Sequence, residues 1–76
     1  MNARYSAITT VTLADIRNNL KAVMRTAIDD GSIRMNEKGE RIFRLNIIGG
    51  IQWIYEITQE YLEKFSLCLR RMLPPV

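Results

Sequence analysis

Apolar residues recur along the chain at two different periods, and the changes of period mark out its elements. The opening run Arg4–Val11 is rich in β-branched residues and alternates, which sets Tyr5, Ala7, Thr9 and Val11 on one face of a short strand. From Leu13 the spacing becomes three and four: Leu13, Ile16, Leu20, Val23, Met24, Ala27 and Ile28 form the single stripe of an amphipathic helix. Thr12 supplies the N-cap of that helix, Asp15 completes a capping box, and Gly31 is suited to the left-handed residue just past its end. Arg17, Asn18 and Asn19 point away from the stripe.

Two β-prone runs then flank Asn36-Glu37-Lys38-Gly39, which predicts a hairpin whose turn places Gly39 at positive φ. In that register Ile33 faces Phe43 and shares a face with Met35 and Leu45. Arg34 and Arg44 lie on the opposite face, with Lys38 at the tip. Gly49-Gly50 break the second strand, and a second helix is expected from about Ile51 to Met72. Its apolar positions, Ile51, Ile54, Ile57, Tyr61, Leu62, Phe65, Cys68, Leu69 and Met72, exceed one narrow stripe, and Trp53 and Leu67 fall outside it. Glu56, Glu60 and Glu63 precede Lys64, Arg70 and Arg71, the order that complements the helix macrodipole. Pro74-Pro75 end it. The expected fold is α+β: a short N-terminal strand, a helix, a β-hairpin and a long C-terminal helix, in the order β-α-β-β-α.

Length changes this picture. A chain of 76 residues is one small domain, and such a globule buries only roughly 60% of the surface its unfolded chain exposes. Disulfides and metals are poor supports here, because there is one cysteine and no histidine. Self-association is the remaining route, so a homodimer is expected. Cys68 follows Phe65 at helical spacing and reads as a small buried hydrophobe. The unpaired thiol, the lack of an apolar leader and the lack of any window near the ~18 apolar residues of a membrane span point to the cytoplasm and away from a membrane.

Charge divides the chain in two. Residues 1–48 carry eight Lys/Arg against five acids, and residues 49–76 carry three against three. The net +3 therefore belongs to a basic region, 1–48, while 49–76 is an apolar helical region of zero net charge. A basic half suggests a polyanionic partner. Without histidine, Ser/His/Asp and Cys/His nucleophiles are excluded and a zinc site lacks its usual ligands. No Gly-rich phosphate loop is present. Asp29-Asp30 and Glu37/Glu40 read as solvated charges at a helix end and a turn. No enzyme, cofactor or metal is expected.

Over roughly Ile8 to Leu45, the run "VTLADIRNNLKAVMRTAIDDG" leading into "IRMNEKGERIFRL" resembles the N-terminal domain of the Phd/YefM family of antitoxins. Arg17, Asn19 and Leu20 match a helix motif of the form S-E-A-R-x-N-L, and Met35 and Gly39 match the apolar and glycine positions of a turn like I-T-R-x-G. The resemblance implies a homodimer that binds double-stranded operator DNA through the strand, the first helix and the hairpin, here Arg4, Thr10, Arg17, Asn19, Arg34, Lys38 and Arg44. It also implies that the C-terminal segment masks a toxin, with Ile54, Ile57, Tyr61, Phe65 and Leu69 as anchors. That segment departs from the family's acidic, extended tail. A second, purely topological likeness is to the small head-completion protein of lambda-like phages, which stands for a wider class: small phage or mobile-element proteins that bind or inhibit a larger complex without DNA. For every anchor the plain alternative is the chain's own core, and for the arginines a solvated surface.

Overall fold

The computed structural model describes residues 7–51 and 53–72. Arg4 and Tyr5 lie outside them. The fold is α+β, with strand β1 (Thr9–Thr12), helices α1 (Leu13–Asn18) and α2 (Leu20–Asp30), strands β2 (Ile33–Met35), β3 (Arg41–Ile48) and β4 (Ile54–Thr58), and helix α3 (Gln59–Met72).

Strand β3 is the centre of the sheet. Along one edge it pairs antiparallel with β4, from Ile42 opposite Thr58 to Asn46 opposite Ile54. The other edge is shared end to end: β2 pairs antiparallel with Arg41–Phe43, and β1 pairs parallel with Leu45–Ile48. The hairpin register is the one the alternation predicts, with Ile33 opposite Phe43. Its turn closes with the Gly39 amide donating to the Asn36 carbonyl at 3.0 Å, and Gly39 sits at φ +81°. The Asn36 Oδ1 holds the loop by accepting from the Lys38 and Glu40 amides, each at 2.9 Å.

Because side chains alternate across a strand, each ladder rung places its two residues on the same face. One face carries Thr9, Val11, Ile33, Phe43, Leu45, Ile47, Tyr55 and Ile57. All three helices pack on it, contributing Ile16, Val23, Ala27, Leu62 and Leu69 to a single buried cluster. That cluster draws on both the basic region and the segment after Gly49. Among the described residues no helix packs on the other face, which carries Thr10, Thr12, Arg34, Ile42, Arg44, Asn46, Ile48, Ile54, Glu56 and Thr58.

The start and end signals of the first helical segment are used. Thr12 Oγ1 accepts from the Asp15 amide and Asp15 Oδ2 accepts from the Thr12 amide, both at 3.0 Å. Gly31, at φ +78°, donates its amide to the Ile28 carbonyl at 3.1 Å. Between these ends the expected continuous helix is broken. Asn19 adopts φ −150°, ψ 60°, ending α1 and opening α2. A helix end leaves its last four carbonyls without intrahelical partners, and α3 supplies what the ladder no longer does. Ser66 Oγ donates to the Ile16 carbonyl at 2.9 Å, and Arg70 Nε donates to the Arg17 carbonyl at 3.0 Å.

The C-terminal half corrects a second expectation. Residues Ile54–Thr58 are a strand, not the first turns of a helix. Tyr55 and Ile57 alternate toward the helix-covered face, and backbone pairing with β3 outweighs helical propensity in so short a run. Helix α3 starts only at Gln59, where Thr58 Oγ1 accepts from the Tyr61 amide at 3.1 Å. Glu56 thus belongs to the sheet and not to the helix macrodipole. Cys68, expected to be buried, is exposed, because α3 turns Leu62, Ser66 and Leu69 to the core and Cys68 to its outer side.

Candidate binding surfaces

The uncovered sheet face is the first surface. Along β3 it presents Ile42, Arg44, Asn46 and Ile48 in sequence. Arg34 lies beside Ile42 across the β2 ladder, Thr10 beside Asn46 across the β1 ladder, and Glu56 directly opposite Arg44 on β4. Asn46 Nδ2 donates to Thr10 Oγ1 at 3.3 Å, tying the parallel strand to the centre. The result is a diagonal row of donors, Arg34, Arg44, Asn46 and Thr10, drawn from three strands that are far apart in the chain. Ile42 is buried on this face outside the helical core. Among the described residues, one carboxylate, that of Glu56, shares the face with the two guanidinium groups.

The elbow at Asn19 is a second, distinct surface. Asn19 is exposed and Arg17 half-buried, with Arg17 Nε donating to Asn18 Oδ1 at 3.1 Å. Asn19 lines two depressions. One, along the free edge of β1, also includes Thr10 and Asp15. The other, about 530 Å³, runs between α2 and α3 and includes Lys21, Gln59, Glu63 and Arg70. Lys38 stands apart at the hairpin tip. Of the expected DNA-contacting residues, the fold therefore gathers Thr10, Arg34 and Arg44 on one face, links Asn19 to Thr10 round the edge of β1, and leaves Arg17 beside α3. Arg4 lies outside the described residues.

The third surface is apolar. Where β3 passes into β4, Ile48, Ile51, Trp53 and Ile54 are all exposed, Trp53 to 64%. Behind this turn, Leu13, Ile47, Tyr55, Tyr61 and Phe65 line a groove of about 190 Å³. Tyr55 Oη donates to the Ile51 carbonyl at 3.3 Å and so pins the turn over the groove. The expected partner anchors separate here. Ile57 and Leu69 are only 8% and 6% exposed and belong to the chain's own core, with Ile57 also lining the groove. Ile54 and Tyr61 are exposed, and Phe65 is half-buried at the groove.

Sequence reasoning passed over Asn46, Ile48, Ile51 and Trp53 as functional residues. Trp53 did carry a signal, since it falls outside the helical stripe. Among the described residues, no three His, Cys, Asp or Glu side chains come together to hold a metal ion, and no helix is long and apolar enough to cross a membrane. Comparison of the chain with protein-family models, curated proteins and solved structures finds no match, so its function is argued from these surfaces.

Proposed function

We propose that this chain is a small, non-enzymatic, cytoplasmic binding protein of the antitoxin type. It acts as a homodimer that holds operator DNA on its open sheet face and a partner protein on its apolar turn. The observation that carries this reading is the convergence of Thr10, Arg34 and Arg44, from three separate strands, on the one face of the sheet that the protein's helices leave uncovered. Guanidinium groups on such a face contact phosphates, while Asn46 and Thr10 supply neutral donors and acceptors for positioning or base edges. The partner protein is held through Trp53, Ile51 and Ile54, large side chains of the kind that anchor interfaces.

The test is a gel-shift titration on the DNA that precedes the protein's own reading frame, at several salt concentrations. Each phosphate neutralised contributes about −0.9 to the log-log salt slope. Arg34→Ala/Arg44→Ala should flatten the slope by about 2 per bound protomer. An unchanged slope refutes the sheet-face assignment. A second reading, a protein-only inhibitor of phage or mobile-element type, is favoured by Glu56, whose carboxylate stands opposite Arg44 and lowers the charge of that face. Wild-type protein that captures a protein partner through the Trp53 turn but shifts no DNA at low salt would establish it.

A further inference from the structure

Helix α3 carries a second apolar stripe, of which only Phe65 packs against the chain's own buried cluster. Tyr61, Phe65, Cys68 and Met72 are spaced four, three and four apart, the seam spacing of two helices packed side by side. At 100° per residue they lie together on a flank next to the core-facing residues Leu62, Ser66 and Leu69. Tyr61 and Met72 are 66% and 67% exposed, Cys68 is exposed, and Cys68 Sγ lies 3.7 Å from Met72 Sδ along the stripe.

We infer that this stripe is the seam of the homodimer, and that α3 pairs with α3 of a second copy in the antiparallel sense. The inference rests on the homodimer of the preceding section and specifies its interface. Charge selects both partner and direction. Helix α3 is acidic in its first turn, at Glu60, and basic in its last, at Arg70 and Arg71. Antiparallel layers that set Tyr61 against Met72 of the copy, and Phe65 against its Cys68, bring Arg71 of each chain within two residues, about 3 Å along the axis, of Glu60 of the other. Lys64 already answers Glu60 within the chain, at 3.6 Å, so Arg71 arrives at an established ion pair. A parallel pair would instead place the Glu60, Lys64 and Arg71 flanks of the two chains on opposite sides of the seam, where these cross-chain contacts do not form. The apolar groove gives the second copy a seat: Tyr61 and Phe65 form one wall of it, and the Met72 layer brings a flexible thioether to its mouth.

The native thiol makes this testable in the intact protein, because Cys68 is the chain's one cysteine. With helix axes about 8–10 Å apart, seam Cα atoms about 2.3 Å inside those axes and an axial offset of three residues, about 4.5 Å, the two Cys68 Cα atoms of a dimer stand about 6–8 Å apart. That is at the upper edge of disulfide range and within reach of a short bis-maleimide. Expected are a dimer by sedimentation velocity, a Cys68–Cys68 cross-linked band, and loss of both in Met72→Glu. Glu60→Arg should raise the dimer dissociation constant about tenfold through its two symmetric contacts, and Glu60→Arg/Arg71→Glu should recover most of that loss. A dimer that neither cross-links through Cys68 nor responds to Met72→Glu overturns this interface and leaves the homodimer itself standing. A monomer at every concentration overturns both, while DNA binding remains separately readable by gel shift.

Discussion

Ser66→Ala is the sharpest probe of how this fold is held. Ser66 is 2% exposed, and its hydroxyl donates at 2.9 Å to the Ile16 carbonyl, which the break at Asn19 removes from the helical ladder. Alanine leaves that buried carbonyl unsatisfied, at a cost of about 1–3 kcal/mol. The better helix propensity of alanine returns no more than about 0.5 kcal/mol. The net loss is about 1–2 kcal/mol, which for a domain of this size lowers Tm by roughly 5–15 °C. Urea unfolding followed by far-UV circular dichroism measures it, at one fixed protein concentration because a dimer's stability depends on concentration. Arg70→Ala is the matched control. It removes the neighbouring bond to the Arg17 carbonyl, but that bond is exposed, so water replaces it and the change should stay within about 0.5 kcal/mol. If Ser66→Ala is neutral, or if Arg70→Ala costs more, then the carbonyls at the elbow are not what α3 secures.

Two further outcomes follow from the backbone and the charge pattern. Gly31→Ala should cost about 1–2 kcal/mol, because the residue sits at φ +78° although a Cβ would meet nothing there; Gly50→Ala, with open space and no positive φ, should be neutral in the same thermal melts. Glu56→Gln removes the single carboxylate facing the Arg34–Arg44 row, so it should tighten DNA in the gel-shift assay by about two- to fivefold at low salt. Identical affinity would place the DNA elsewhere on the molecule.

The parts of this fold legible in the sequence were those with local causes. Thr12 with Asp15, Gly31, and the Gly39 turn each specify a backbone conformation within four residues, and the Ile33–Phe43 register follows from that turn. The break at Asn19 has no such cause. The apolar period runs through it from Ile16 to Leu20, and the groups that stabilise it, Ser66 and Arg70, lie about fifty residues further on. Strand β4 was ambiguous for a different reason. Ile51, Ile54, Ile57 and Tyr61 fit a helical stripe, while Trp53, Tyr55 and Ile57 fit an alternating strand equally well. Thr58 followed by Gln59-Glu60, a cap with an acid in the first turn, was the available signal that the helix begins only there. That Thr10 joins the face of Arg34 and Arg44 depended on β1 joining β3 in parallel, a long-range pairing that short-range pattern does not specify. Burial of Leu69, and exposure of Tyr61 and Cys68, depended in turn on which side of α3 meets the sheet, and burial of Ile57 on its place in β4 opposite Phe43.

The arrangement of β3 has a consequence for how the molecule comes apart. β1, β2 and β4 each bond to β3 and none bonds to another, so the sheet is a spine with ribs. A rib can detach without disturbing the others, but a lesion in the spine removes every ladder at once. Amide protons of Phe43 and Leu45 should therefore be the last to exchange. Ile33–Met35, the shortest rib and the most exposed, should be the first segment to peel away, whereas Thr9–Thr12, held also by the Thr9 hydroxyl at Asp30 and Ser32 and by buried Val11, should let go later and, after the longest loop closure in the sheet, be the last to return.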